Sequence, residues 1–142
     1  SSTTADAAGD AVAFSSLNWS FGGFDGSKAA ISSASIGNLS IAGNEMTYSW
    51  TGDTLATWGL GDHEAGALCC LFVKRSDNTW VGGKFDWIST DRTSRTLEHV
   101  THTPGYNGWT LDNVPNPCEA AFVIVSADRK KRTNVISSNW SR

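Results

Sequence analysis

The sequence predicts an all-β fold, specifically an antiparallel two-sheet sandwich of jelly-roll type. Strand-length segments recur along the 142 residues, with Gly, Asn and Asp between them. The chain contains seven Trp and much Ser, Thr and Gly, a mixture that favours strands and turns over helices. No segment carries the apolar repeat of an amphipathic helix. At this length a single domain with its own core is expected.

A β-hairpin is predicted in the first half of the chain. Two alternating segments, 35–42 and 45–51, are separated only by Gly43 and Asn44, a pair typical of two-residue hairpin turns. In the second segment large apolar residues alternate with Ser and Thr, so one face is expected to be buried. The residues of that buried face are Met46, Tyr48 and Trp50.

Two segments are apolar at consecutive positions and are predicted to be central strands. They are residues 66–75 and 119–127, and a strand of this kind is covered on both sides. Further strands are expected at 11–19 and 133–140. The basic run RKKR at 129–132 is interpreted as a polar turn between two strands.

The first ten residues, SSTTADAAGD, are small and polar and lack an apolar period. They are interpreted as a linker, which leaves residues 11–142 as the folded domain. They also lack the basic start and apolar middle of a signal peptide, so an exported protein would carry its signal outside this sequence.

The segment 79–90, TWVGGKFDWIST, is predicted to be a strand with two Trp on opposite faces. The side chains of Val81, Phe85 and Trp87 are expected to lie on one face of this strand, towards the core. The other is expected to face solvent and consists of Trp80, Lys84 and Asp86. The pair Gly82-Gly83 is the point at which a β-bulge would reverse this parity.

The charge balance argues against nucleic acids and membranes as partners. Charged residues make up 18 % of the chain, the net charge is −3 and the pI is about 5.5. A broad basic surface for phosphates is therefore not expected. No apolar run approaches the roughly 20 residues that span a bilayer.

The cysteines leave two interpretations open. Cys69 and Cys70 are adjacent in a strand and face opposite sides, so only one of them could reach Cys118. A disulfide with Cys118 and three small buried thiols are equally compatible with the sequence. No CxxC spacing indicates a zinc site.

No catalytic constellation is expected. The densest acidic cluster, Asp62, His63 and Glu64, is interpreted as a solvated loop or a modest calcium site rather than a catalytic centre. His99 and His102 are interpreted as ordinary surface or core residues, and no GxSxG motif is present.

Seven Trp are many for one small core, so two or three are expected at the surface. A flat aromatic ring stacks on the C–H face of a sugar, while planar and charged side chains bind its hydroxyls. The residues predicted to bind carbohydrate in this way are Trp80, Lys84, Asp86, Arg92, Tyr106, Asn107 and Trp109.

A polar linker followed by strands such as TYSW, TWVGGKFDW and GYNGW resembles the carbohydrate-binding modules of plant-cell-wall-degrading enzymes, and family 81 of these modules in particular. The likeness covers about Ala11 to Trp140. It implies a secreted, non-catalytic β-sandwich that binds cellulose and other β-glucans and is linked to a catalytic module. It implies no required cofactor, although such modules often carry structural calcium. A small secreted glycoside hydrolase or lyase and an adhesion-type β-sandwich remain alternatives.

Overall fold

The computed structural model describes residues 12, 17, 30–31, 36–43, 45–50, 54–61, 66–88, 94–98, 113–128 and 130–142. At 30–31, 83–86 and 94–98 the description covers the backbone alone. All regular structure in this part of the chain is β, which confirms the predicted class. None of these residues forms a helix long and apolar enough to cross a membrane.

Nine strands are present in the described ranges. In chain order they are β1 (Ala30–Ile31), β2 (Asn38–Ala42), β3 (Glu45–Ser49), β4 (Ala67–Lys74), β5 (Trp80–Ile88), β6 (Ser94–Glu98), β7 (Cys118–Val125), β8 (Lys131–Arg132) and β9 (Ile136–Trp140). β5, β4, β7, β8 and β1 follow one another across a six-stranded sheet, and β9 also pairs with β7. β2, β3 and β6 form a three-stranded sheet. All pairings are antiparallel except that of β1 with β8.

The two predicted central strands lie in the middle of the large sheet. β4 is bonded to β5 on one side and to β7 on the other, and both β4 and β7 are buried along nearly their whole length. Their uninterrupted Val, Ile, Leu, Phe and Cys side chains suit a position covered on both faces. The prediction for these two segments is confirmed.

The predicted hairpin is also confirmed. β2 and β3 pair in a register that places Ala42 opposite Glu45, so two positions lie between the paired ends of the strands. Gly43 has a φ of 54°, a left-handed conformation that glycine adopts without a steric penalty. On β3 the buried face carries Met46 and Tyr48, as the alternation predicts.

One hydrophobic cluster lies between the two sheets. The ring centroids of Tyr48 on β3 and Phe122 on β7 are 4.3 Å apart, and the Tyr48 hydroxyl lies 2.7 Å from the Cys69 sulfur. At the edge, the Trp140 indole N–H donates to the Gly43 carbonyl at 2.8 Å. The hairpin turn is therefore tied to the end of β9, so the sheets share both a core and a hydrogen-bonded seam.

A second cluster covers the opposite face of the large sheet. It contains Phe72 and Val123 from the central strands and, from the chain before β1, Val12 and Leu17. These two early residues lie in bends rather than in the strand predicted at 11–19. The large sheet therefore has a hydrophobic cluster on each of its two faces.

Trp80 belongs to this second cluster, so the prediction that it faces solvent is wrong. The β4–β5 register shifts between the Cys70–Phe85 and Phe72–Gly82 pairs, leaving two β5 residues, Gly83 and Lys84, opposite one on β4. A bulge of this kind reverses the parity of a strand. Trp80 is therefore 8 % exposed and shares a cluster with the partly buried Trp87, while Val81 is buried between the sheets.

All three cysteines are free and buried, which resolves the alternatives left by the sequence. Cys69 lies in the cluster between the sheets and Cys70 in the other one. Cys118 is six positions along β7 from Ile124, the register partner of Cys69. Six strand residues span about 20 Å, far beyond the roughly 7 Å limit for bridged Cα atoms.

The basic run at 129–132 is only partly a turn. Asp128 accepts hydrogen bonds from the Ser126 hydroxyl and the Lys130 amide, which closes the chain reversal after β7. Lys131 and Arg132 then form β8, and Arg132 is 3 % exposed, with Nη1 donating to the Thr133 carbonyl. The basic character of the run therefore does not keep all of its residues at the surface.

Candidate functional site

A concave groove of about 580 Å³ lies at one end of the large sheet, where β4 ends, β7 begins and β9 ends. Seven of its ten described lining residues are polar or charged, namely Lys74, Arg75, Ser76, Asn78, Glu119, Asn139 and Ser141, and the other three are Pro115, Pro117 and Cys118. Because these residues come from three separate chain segments, 74–78, 115–119 and 139–141, the groove exists only in the folded sheet.

A row of neighbouring side chains crosses four strands at the groove. Lys74 is opposite Trp80 in the β4–β5 register, and Glu119 is opposite Asn139 in the β7–β9 register. The Lys74 ammonium lies 3.8 Å from a Glu119 carboxylate oxygen and 5.8 Å from the centre of the Trp80 ring. Neighbouring strands are about 4.8 Å apart, so the row presents an ammonium, a carboxylate and an amide at regular spacing.

The ion pair within this row is open to water. The side chains of Lys74 and Glu119 are 34 % and 41 % exposed. Exposed pairs of this kind are worth about 0–1 kcal/mol. Both charged groups therefore remain available to a ligand at small cost.

A tight turn after β4 forms one wall of the groove. The Arg75 amide donates to the Thr79 carbonyl and the Asn78 amide to the Arg75 carbonyl, both at 2.9 Å. Asn78 has a φ of 69°, which Asn tolerates better than most residues. The hydroxyl and amide of Thr79 both donate to Asp77, and these bonds hold the pKa of that carboxyl below its usual value.

The opposite wall is held by Arg142. Its guanidinium donates to the carbonyls of Val114 and Pro115, and its amide donates to the Asn116 side chain at 2.9 Å. Burial raises the pKa of the nearby Cys118 thiol, although Arg142 Nη1, 3.8 Å from the sulfur, acts in the other direction. Cys118 therefore contributes a neutral thiol to the wall at neutral pH.

A second groove of about 520 Å³ lies where β2 and β3 meet β9. Its described lining consists of Gly37, Asn38, Leu39, Ser40, Thr47, Ser49, Ile136 and Ser137, and none of these residues is charged. Its hydroxyls and one amide differ in chemistry from the charged row of the first groove.

The structure describes few of the residues predicted to bind carbohydrate. Trp80 is buried beneath Lys74, and for Lys84 and Asp86 only the backbone of β5 is described. The other predicted residues, Arg92, Tyr106, Asn107 and Trp109, lie outside the described residues, as do Asp62, His63, Glu64, His99 and His102. Of the described Trp residues, Trp50, Trp80 and Trp140 are buried, and Trp58 and Trp87 are partly buried.

The sequence interpretation missed the row formed by Lys74, Glu119 and Asn139. Each residue lies at or next to the end of a strand, and such positions look like ordinary strand boundaries. Their alignment depends on contacts between neighbouring strands, in which Lys74 and Glu119 are 45 positions apart and Glu119 and Asn139 are 20 positions apart. Within the described ranges, no three His, Cys, Asp or Glu residues are grouped to hold a metal ion.

No protein-family model, curated protein or solved structure matches this chain. The molecule is therefore characterised by its own geometry, an all-β domain with a charged and amide-lined groove at one end of its larger sheet.

Proposed function

We propose that this domain is a non-catalytic carbohydrate-binding module of jelly-roll sandwich type whose ligand is a β-glucan. The observation that carries the proposal is the groove at the end of the large sheet, in which Lys74, Glu119 and Asn139 stand in one row. An open, elongated row suits one stretch of an extended polymer better than a small enclosed molecule.

The groove has the hydrogen-bonding groups that sugar hydroxyls require. A hydroxyl both donates and accepts, so its site needs acceptors such as Glu119 and donors such as Lys74. Asn139 and Asn78 supply both functions from one planar amide. Each such bond contributes about 1 kcal/mol net, so several are needed for useful affinity.

The apolar part of the site is assigned to the predicted aromatic residues Tyr106 and Trp109. Trp109 precedes Asn113 by four residues, and the Asn113 carbonyl accepts a hydrogen bond from the Ser76 amide at the groove wall. Four residues of chain span at most about 14 Å. Chain length therefore allows Trp109 to contribute a ring beside the groove.

Modest affinity is expected. Stacking contributes about 1–3 kcal/mol per ring when nucleobases are the guests, and sugars belong at the low end of that range. With a few hydrogen bonds and the cost of association, the dissociation constant reaches the micromolar range at best. This suits a module that raises the local concentration of an appended enzyme near an insoluble substrate.

Affinity electrophoresis with soluble β-glucans and a pull-down on insoluble cellulose test the proposal. The wild-type protein should be retarded or retained, and a reducing-end assay on the same samples should detect no released sugar. Asn139→Ala should weaken retention several-fold, whereas Asn38→Ala, which removes the same amide from the second groove, should not. Release of sugar, or the absence of binding to every β-glucan, contradicts the proposal.

A further inference from the structure

Three described residues of the groove are charged, namely Lys74, Arg75 and Glu119. Lys74 and Glu119 form an ion pair, whereas the Arg75 guanidinium forms no hydrogen bond or ion pair with the described residues. The backbone amide and carbonyl of Arg75 close the turn after β4. The guanidinium Nε is buried and has no hydrogen-bond partner among the described residues. A buried donor left unsatisfied costs about 1–3 kcal/mol. Arg75 also lines the groove, so a ligand that gives its guanidinium a hydrogen-bond partner would offset part of this cost.

Among the described residues, neither Asp77 nor Glu119 is that partner. Asp77 accepts two hydrogen bonds from Thr79 and acts on Arg75 only through Coulomb attraction. Glu119 is 3.8 Å from Lys74 on the neighbouring strand. In the part of the chain that the structure describes, the groove and its walls hold three cationic side chains, Lys74, Arg75 and Arg142, and these two carboxylates.

We propose that the groove prefers a β-glycan whose sugar units carry carboxylates, with the carboxylate bound by Arg75. This inference rests on the proposed function, because it assigns a ligand class to the same groove. A carboxylate is planar and matches the two parallel N–H donors of a guanidinium. The amides of Asn78 and Asn139 bind the hydroxyls of the same chain. Glu119, which lies in the groove, disfavours the higher negative charge of a phosphate monoester.

Two matched ligands test this inference by isothermal titration calorimetry. One is a neutral cello-oligosaccharide, and the other is the same oligosaccharide with its C6 carbons oxidised to carboxylates. The oxidised ligand should bind about tenfold more tightly at low salt, and added NaCl should reduce the difference. Equal affinity for both ligands overturns the inference and leaves the proposed function intact. Binding of neither ligand overturns both.

Sulfate and free glucuronate serve as competitors in the same experiment. Glucuronate should displace the oxidised oligosaccharide weakly, because it has the carboxylate but few of the hydroxyl contacts. Displacement by sulfate at the same concentration as the oligosaccharide would indicate a general anion site and would overturn the assignment to an acidic sugar.

Variants of Arg75 separate charge from geometry. Arg75→Gln should lose the tenfold preference, and Arg75→Lys should retain only part of it, because an ammonium keeps the charge without the planar fork. Lys130→Gln removes one charge at the other end of β7 and should retain the full preference. Thermal unfolding of each variant checks the fold. Full preference in a folded Arg75→Gln protein overturns the inference.

Discussion

The side-chain amide of Asn134 is paired with both backbone groups of Ile36. Asn134 Oδ1 accepts from the Ile36 N–H at 2.6 Å, and Asn134 Nδ2 donates to the Ile36 carbonyl at 3.2 Å. The side-chain amide therefore makes the two hydrogen bonds that a backbone partner in a β-sheet would make. It joins the segment before β2 to the segment between β8 and β9. The preceding residue, Thr133, is bonded to β7: its amide donates to the Ile124 carbonyl at 2.9 Å, and the Ile124 amide donates to its hydroxyl at 3.1 Å.

Asn134→Ala should destabilise the protein by about 1–3 kcal/mol, because Ile36 is buried and its backbone groups would lose their partner. Asn134→Asp retains the acceptor and removes the donor, so the Ile36 carbonyl would face a carboxylate, and we expect a similar or larger loss. Urea denaturation gives the values, with the exposed Asn38→Ala as control. An unchanged midpoint for Asn134→Ala would show that water replaces the amide without cost.

Gly59→Ala should also be destabilising. Leu60 N–H bonds the Leu55 carbonyl and Gly59 N–H bonds the Ala56 carbonyl, the pattern that ends a helical turn with a left-handed residue. Gly59 has a φ of 75°, and a Cβ there would lie 2.8 Å from Lys131 Nζ. The Lys131 side chain can move away, so the loss of stability comes mainly from holding an alanine in the left-handed conformation, which costs about 1–2 kcal/mol.

The matched control for Gly59 is Gly37→Ala. A Cβ at Gly37 meets no atom within 4 Å, and its φ lies outside the left-handed region. Its melting temperature should stay within about 2 °C of the wild type, whereas Gly59→Ala should fall by several degrees. Equal melting temperatures for the two variants would contradict the assigned role of Gly59.

Trp80→Ala should lower the free energy of unfolding by about 3–5 kcal/mol, because the ring is buried against Phe72 and its neighbours. An exposed ring would cost almost nothing, so this measurement distinguishes the buried position from the surface position that simple alternation predicts. Chemical denaturation is the assay. A loss below about 0.5 kcal/mol would place the ring in solvent.

All three thiols should be free in the purified protein. Alkylation after unfolding without reductant should modify three cysteines, and reductant should not change the melting temperature, because no bridge constrains the unfolded chain. Mass spectrometry provides the count. A mass increase corresponding to a single alkylated thiol would reveal a disulfide and contradict the register of β4 and β7.

Thr79→Val should raise the pKa of Asp77 toward its ordinary value, since the Thr79 hydroxyl is the largest cause of the lowering. A carboxyl with a lowered folded pKa stabilises the protein above its unfolded pKa, and that contribution is lost as the pH falls through the folded pKa. As the pH falls, the variant should therefore lose the stabilisation by the Asp77 carboxylate at a higher pH than the wild type does. NMR titration of the Asp77 carboxyl measures the shift, and an unchanged pKa would exclude the hydroxyl as its cause.

The sequence alone determined the features that depend on neighbouring residues. The consecutive apolar residues of β4 and β7 specified central strands, and the Gly43-Asn44 pair specified the hairpin, because burial pattern and turn conformation are properties of short segments. The alternation on β3 correctly placed Met46 and Tyr48 inside.

Only the tertiary structure decided which strands pair and in what register. The bulge at Gly83 and Lys84 moved Trp80 into a core, and the register of β4, β7 and β9 aligned Lys74, Glu119 and Asn139 beside one groove. It also placed Cys118 far from Cys69. Register is set by contacts between residues distant in sequence, and a one-residue shift reverses every side chain that follows, so periodicity within one strand cannot reveal it.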